Sequence, residues 1–163
     1  MAKAILLLSA VCILAFVNFA QCHDSQAINV EGSVYCDTCR VQFQTKLSEY
    51  IEGATVRLAC KDIETEKETY SVEGVTDKNG KYIIKVEGDH ENELCEVSIV
   101  KSPREDCKEP AIGFENSRVV CSGNVGIHNP TRYANPLFFM KTEAVSGCKD
   151  VLDELGLFPL EFN

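Results

Sequence analysis

Cysteine carries most of the reactive chemistry in this chain of 163 residues, with thiols at 12, 22, 36, 39, 60, 95, 107, 121 and 148. A thiol can serve as nucleophile, metal ligand or half of a disulfide, and spacing and compartment decide which. Cys36-Asp37-Thr38-Cys39 has the spacing of a redox pair and also of half a zinc site. A ribbon-type zinc site needs a second close pair, but Cys60, Cys95, Cys107 and Cys148 each stand alone. Of the three histidines only His23, beside Cys22, is next to a cysteine. A redox pair wants a helix opening at it, since the helix N-terminus lowers the thiol pKa. Arg40-Val41-Gln42-Phe43-Gln44 instead alternates and reads as extended chain. Structural disulfides are the strongest of the three readings, and neither a metal nor another cofactor is expected.

The other reactive side chains do not assemble a catalytic pattern. With 25 Asp and Glu residues, any pair of carboxylates is uninformative about glycosidase chemistry. His90 and His128 read as surface-loop residues, and no Gly-x-Ser-x-Gly elbow accompanies them. Ser102-Pro103-Arg104-Glu105-Asp106-Cys107 is the one segment shaped like a braced inhibitor loop, with Arg104 as its trypsin-type anchor. A wall-associated structural role would call for Pro-rich or basic repeats, which five scattered prolines do not supply. The reading is therefore a non-enzymatic protein, with a cystine-framed protease inhibitor or a wall-associated protein as the alternative.

The compartment follows from the first residues. Lys3 precedes an uncharged apolar run from Ala4 to Val17, too short for a membrane span of about 20 residues and typical of a secretory signal peptide. Residues 1–22 are assigned to that signal and 23–163 to a single secreted domain, soluble in the extracellular space. Cleavage after Cys22 fits the small-x-small rule and leaves seven cysteines, one of them odd. Cleavage after Ala20 leaves eight, so that Cys22 could pair with the odd one; both remain open. Removing the signal takes away Lys3 and no carboxylate, so the formal charge moves from −9 to −10. Such an acidic protein is repelled by nucleic acid and anionic lipid, which excludes both as partners.

The elements that hold these residues are strands. Ala54, Val56, Leu58 and Cys60 share one face against Thr55 and Arg57; Tyr82, Ile84 and Val86 oppose Lys81 and Lys85; Cys95, Val97 and Ile99 oppose Glu96 and Ser98. Alternation with period two marks half-buried strands. Cys60 and Cys95 fall on the apolar faces, so a bridge between them would tie two strands from inside the core. Asp77-Lys78-Asn79-Gly80 reads as a tight hairpin turn with Asn-Gly at the positive-φ positions. Residues 61–69 and 87–93 are charged loops and 122–136 a long Gly/Asn/Pro loop. Residues 149–155 form a short helix stopped by Gly156, and the apolar tail 157–162 is expected to pack back on the body. About seven strands and one helix predict a small antiparallel β-barrel or sandwich.

Glu31-Gly32-Ser33-Val34-Tyr35-Cys36-Asp37-Thr38-Cys39-Arg40 resembles the signature of the Ole e I family of pollen proteins. Within it Gly32, Val34, Tyr35, Cys36, Asp37, Cys39 and Arg40 carry the match, and further agreement runs through 53–60, 89–95, 101–107, 135–139 and 148–156. The resemblance implies a small barrel held by the pairs Cys36–Cys107, Cys39–Cys148 and Cys60–Cys95. Cys121 lies outside that six-cysteine pattern, free or paired with Cys22. It further implies a pollen protein supporting hydration, germination and tube growth through the ectodomain of a receptor kinase. The family's N-glycan is not carried over, because the only Asn-x-Thr, at 129–131, has Pro130 in the middle.

Overall fold

The computed structural model describes residues 27–157, so the expected signal segment 1–22, Cys22 among it, and the tail beyond Leu157 expected to pack back lie outside the described residues. The described chain forms β1 (Ile28–Asp37), β2 (Glu49–Tyr50), β3 (Thr55–Asp62), β4 (Glu68–Val75), β5 (Lys81–Val86), β6 (Glu93–Lys101), β7 (Cys107–Pro110), β8 (Asn116–Val119), β9 (Thr131–Tyr133), β10 (Leu137–Lys141) and α1 (Cys148–Glu154). Strands beyond the seven counted in the sequence include β2 and β9, too short to show alternation.

Two sheets enclose one core. Four strands form the first in the order β4-β3-β6-β8; the second is organised by β1, whose lower half pairs with β5 and β9 and upper half with β2 and β10. The alternating faces read from sequence point inward: Val56, Leu58, Cys60, Val86 and Val97 are completely buried between the sheets, with Val30 and Val34 of β1 facing them. Burying these aliphatic side chains contributes about 1.5–3 kcal/mol each and drives the two layers together.

The sheets do not close. A barrel needs an unbroken ring of paired strands, whereas among the described residues β8 pairs only with β6 and β9 only with β1. The expected barrel is thus an open two-sheet structure, and it is not purely antiparallel as expected, because β1 pairs in parallel with β9 and β10; the loop after β8 crosses the gap.

The expected hairpin at 77–80 is also corrected. β4 and β5 belong to different sheets, so this turn is an arch that carries the chain across the core. Only Gly80 has a positive φ, at 68°; the Asp77 carboxylate accepts the Asn79 and Lys81 N–H groups at 2.8 and 2.9 Å and shapes the rest. A side chain at Gly80 would strike the Val34 carbonyl oxygen and Tyr50 Cβ, each at 2.7 Å. Buried Thr76 anchors the arch: its hydroxyl donates to the Ile51 carbonyl at 2.6 Å and accepts the Ala54 N–H at 2.9 Å.

Arg40 to Gln44, expected to be extended, is instead a coil wound around Asp37. The buried Asp37 carboxylate accepts the N–H of Cys39 at 3.1 Å and of Gln42 at 2.7 Å. Arg40 and Gln42 take positive φ values of 57° and 64° to allow this. Local side-chain acceptors of this kind compete with strand pairing and override alternation.

Candidate functional site

Cystine bonds gather three distant segments around the end of β1. Cys36 is bonded to Cys107 with Cα atoms 6.0 Å apart, and Cys39 to Cys148 at 5.4 Å. The Cys-x-x-Cys pair is therefore not bonded to itself: each sulfur serves a different segment, one at β7 and one at α1. Cys60 and Cys95 sit directly opposite each other on β3 and β6 and form the third bridge. Among the described residues Cys121 has no disulfide partner, and its thiol is buried in the core cluster. Burial in the apolar interior pushes this thiol up to about 11, out of reach for nucleophilic chemistry near neutral pH.

Each signature residue has a structural task in this knot. Gly32 makes room for a ring: an added Cβ would lie 2.2 Å from the hydroxyl oxygen of the buried Tyr82. Val34 fills the core. Tyr35 turns to the opposite face of β1 and stacks on Phe138 with centroids 5.2 Å apart, in a small second cluster with Ala111 and Met140. Burial, with the nearby Asp37 carboxylate second, pushes the Tyr35 phenol up to about 12. Arg40 reaches over the knot and donates a fork to Glu109, Nη1 to Oε2 at 2.7 Å and Nη2 to Oε1 at 3.0 Å, while also bonding the Lys141 carbonyl. This geometry welds β7 to β10 through the signature coil; it positions no reactive group toward a cleft.

Arg104 does not project as an inhibitor anchor. Its guanidinium folds back onto Asp106 at 2.7 and 3.0 Å and Glu49 at 2.6 Å, leaving the side chain 28 % exposed. Its neighbour Asp106 also bonds Lys141, and the two cations hold the Asp106 carboxyl far below the ordinary carboxylate range.

His90 is buried, contrary to the surface-loop expectation, whereas His128 is exposed. The His90 ring bonds Glu93 Oε2 through Nδ1 at 2.7 Å and the Glu87 carbonyl through Nε2 at 3.1 Å, and lies against Tyr70. The 87–93 loop is thus pinned by its own histidine. His90, Glu93, Cys60 and Cys95 place their donor atoms within 4.8 Å of one another. Both sulfurs are bonded to each other, and His90 and Glu93 bond each other, so this set offers a cation no open ligand group.

Arg132 was not singled out from sequence. Flanked by Thr131 and Tyr133 at the end of a polar loop, it looks like a surface cation, yet it is 7 % exposed. Its guanidinium donates to the carbonyls of Ser122, Asn129 and Thr131, at both ends of the 122–130 segment, and its Nε has no partner.

The family model described as "Pollen protein Ole e 1 like" matches residues 26–156. The anther-specific protein LAT52 of Solanum lycopersicum is 70 % identical over 162 residues, 99 % of this chain and 100 % of that protein. Pollen allergen Che a 1 of Chenopodium album is 40 % identical over 97 % of this chain and 95 % of its own length. Among solved structures, the major plantain pollen allergen Pla l 1 superposes with a TM-score of 0.67 at 40 % identity, covering 75 % of this chain and 99 % of its own. These relatives are named as pollen proteins and allergens, not as enzymes. The chain belongs to the Ole e 1 family of pollen proteins.

Proposed function

We propose that this protein is secreted by pollen as a non-enzymatic extracellular ligand that binds a receptor-kinase ectodomain and supports hydration, germination and tube growth. The observation that carries this reading is the 70 % identity, end to end, to an anther-specific protein. The structure is compatible with a ligand. No helix among the described residues is long and apolar enough to cross a membrane, and Asp37 and Arg40 beside the two neighbouring bridges are consumed in holding segments together. Rigid frames of this kind present loops for recognition. The Arg104 clamp speaks against the inhibitor alternative, since a trypsin-type anchor must extend freely.

The test is binding of the disulfide-intact protein to a panel of purified pollen receptor-kinase ectodomains, measured at rising salt. Saturable binding to one ectodomain, weakened by salt as expected of a partner meeting an acidic chain, supports the reading. Absence of binding across the panel, with normal hydration and germination of pollen lacking the protein, overturns it.

A further inference from the structure

The gap that keeps the two sheets from closing is a groove with the properties of a peptide site. Its walls are the outer edges of β8 and β9, and its volume is about 500 Å³. The Ile99 N–H donates to the Glu115 carbonyl, and the register pairs Val97 with Ser117 and Cys95 with Val119. Backbone groups alternate in an antiparallel ladder, so those of Ser117 and Val119 face β6 while those of Asn116, Arg118 and Val120 face the groove. Across the gap the Ala134 N–H donates to Glu31 and the Pro130 carbonyl accepts from Asn29, which turns the backbone of Tyr133 outward as well. Among the described residues no backbone or side-chain partner reaches the outward groups of Arg118 or Val120.

The side chains around this edge are apolar and cationic. Val120, Ile127 and Tyr133 line the groove while 54 %, 51 % and 74 % exposed. Its only charged lining residues are Arg118 and Arg132, on a chain of net charge −9. Arg118 shares its Nε with Glu96 at 3.2 Å and otherwise faces solvent. Arg132 is the stronger indication: a buried guanidinium with no carboxylate among its partners and an orphaned Nε donor. Neutral carbonyls leave the charge of a buried guanidinium uncompensated, and a carboxylate arriving in the groove would compensate it.

We propose that this groove binds an extended, carboxylate-bearing peptide segment of another protein, added as a strand along the outer edge of β8. The main chain of the guest meets the unpaired groups of Arg118 and Val120, its alternate apolar side chains rest on Val120, Ile127 and Tyr133, and a Glu or Asp faces Arg132. Strand addition of this type draws affinity from the backbone and specificity from alternate side chains. Unpaired backbone groups favour a peptide over an anionic polysaccharide, which has no complementary ladder to offer. The assignment does not depend on the partner being a receptor kinase.

The test is a titration of the isotopically labelled, disulfide-intact protein with a capped peptide of alternating valine and glutamate, followed by amide NMR shifts. The expected result is saturable shifts confined to residues 116–120 and 131–133. Arg118→Glu is expected to weaken binding about tenfold, the effect of roughly 1.4 kcal/mol. Val120→Pro, which deletes an outward N–H outside the ladder, is expected to abolish it. Arg118→Glu changes an exposed side chain and carries the test alone if Val120→Pro does not fold. A matched valine–lysine peptide is expected to leave the spectrum unchanged. Equal shifts with that peptide, shifts elsewhere on the surface, or no shifts overturn the proposal. So do the same shifts from an oligogalacturonate in place of the peptide, or self-association that Val120→Pro blocks without any peptide binding.

Discussion

The tyrosine beneath Gly32 shows how one side chain can be both required and imperfectly satisfied. Tyr82 is 1 % exposed, and its hydroxyl has no hydrogen-bond partner. A buried hydroxyl without a partner costs about 1–3 kcal/mol. Tyr82→Phe keeps the ring and removes the orphan, so chemical denaturation is expected to show unchanged or slightly higher stability. Gly32→Ala drives a methyl into the same ring and is expected to cost about 1–3 kcal/mol, the usual penalty of overpacking. The Cys121 thiol makes a second residue-level prediction. Its value in the fold, about 11, is above the ordinary 9.0 because burial disfavours the thiolate. The unfolded chain therefore loses its proton first as pH rises. Stability due to the neutral thiol is complete below pH 9.0 and is lost as the pH climbs through about 11. Thermal melts of Cys121→Ala across that range are expected to fall less steeply than those of the parent.

Among the elements, the segment between β6 and β7 depends on one carboxylate. Asp106 takes a fork from Arg104 and a bond from Lys141 of β10, and so ties a turn to the central sheet. Its carboxyl is held below its ordinary 3.8 by Arg104 first and Lys141 second. A depressed carboxylate stabilises the fold above its unfolded value and loses that contribution as pH falls. Asp106→Asn is expected to melt lower than the parent near neutral pH, with the two curves converging in acid below 3.8. Equal gaps at both extremes would show that the interaction is not electrostatic. Which elements could be read from the sequence follows from the same physics. β3, β5 and β6 alternate over enough residues to declare an inner face, and Cys60 opposite Cys95 follows from that face. β9 spans three residues and owes its burial to β1, which no local pattern encodes. The arch at Asp77 to Gly80 uses hairpin chemistry, but turn residues do not reveal whether the flanking strands pair. Arg132 and His90 sit in polar loops, and only the carbonyls and carboxylate that surround them explain their burial.

For the whole molecule, the three bridges span sequence separations of 71, 109 and 35 residues. In the chain-entropy model each is worth about 4–5 kcal/mol, with the longest loop ahead of the shortest by about 1 kcal/mol. Domains of this size are stable by only about 5–15 kcal/mol. Full reduction is therefore expected to unfold the protein at physiological temperature, seen as loss of β-sheet circular dichroism. A melt unchanged by reductant would show that the core alone suffices. Removing Cys39 and Cys148 together is expected to cost more than removing Cys60 and Cys95 together, measured by urea titration.

The parallel pairing of β1 has a consequence for biosynthesis. The strand that emerges early, Ile28–Asp37, pairs with Thr131–Tyr133 and Leu137–Met140, about a hundred residues further along. At a synthesis rate of about 5–20 residues per second, β1 waits some 5–20 seconds for those partners. Meanwhile β2 and β5 can already pair with β1, but the thiols of Cys36 and Cys39 wait for their partners, on the proposed secretory route in an oxidising compartment. During that interval the adjacent thiols can bond each other or Cys60 before Cys107 and Cys148 exist. Any such early bond must be undone before the native pairs Cys36–Cys107 and Cys39–Cys148 can form, so on the proposed secretory route the yield of folded protein is expected to rise with isomerase capacity as well as with native stability.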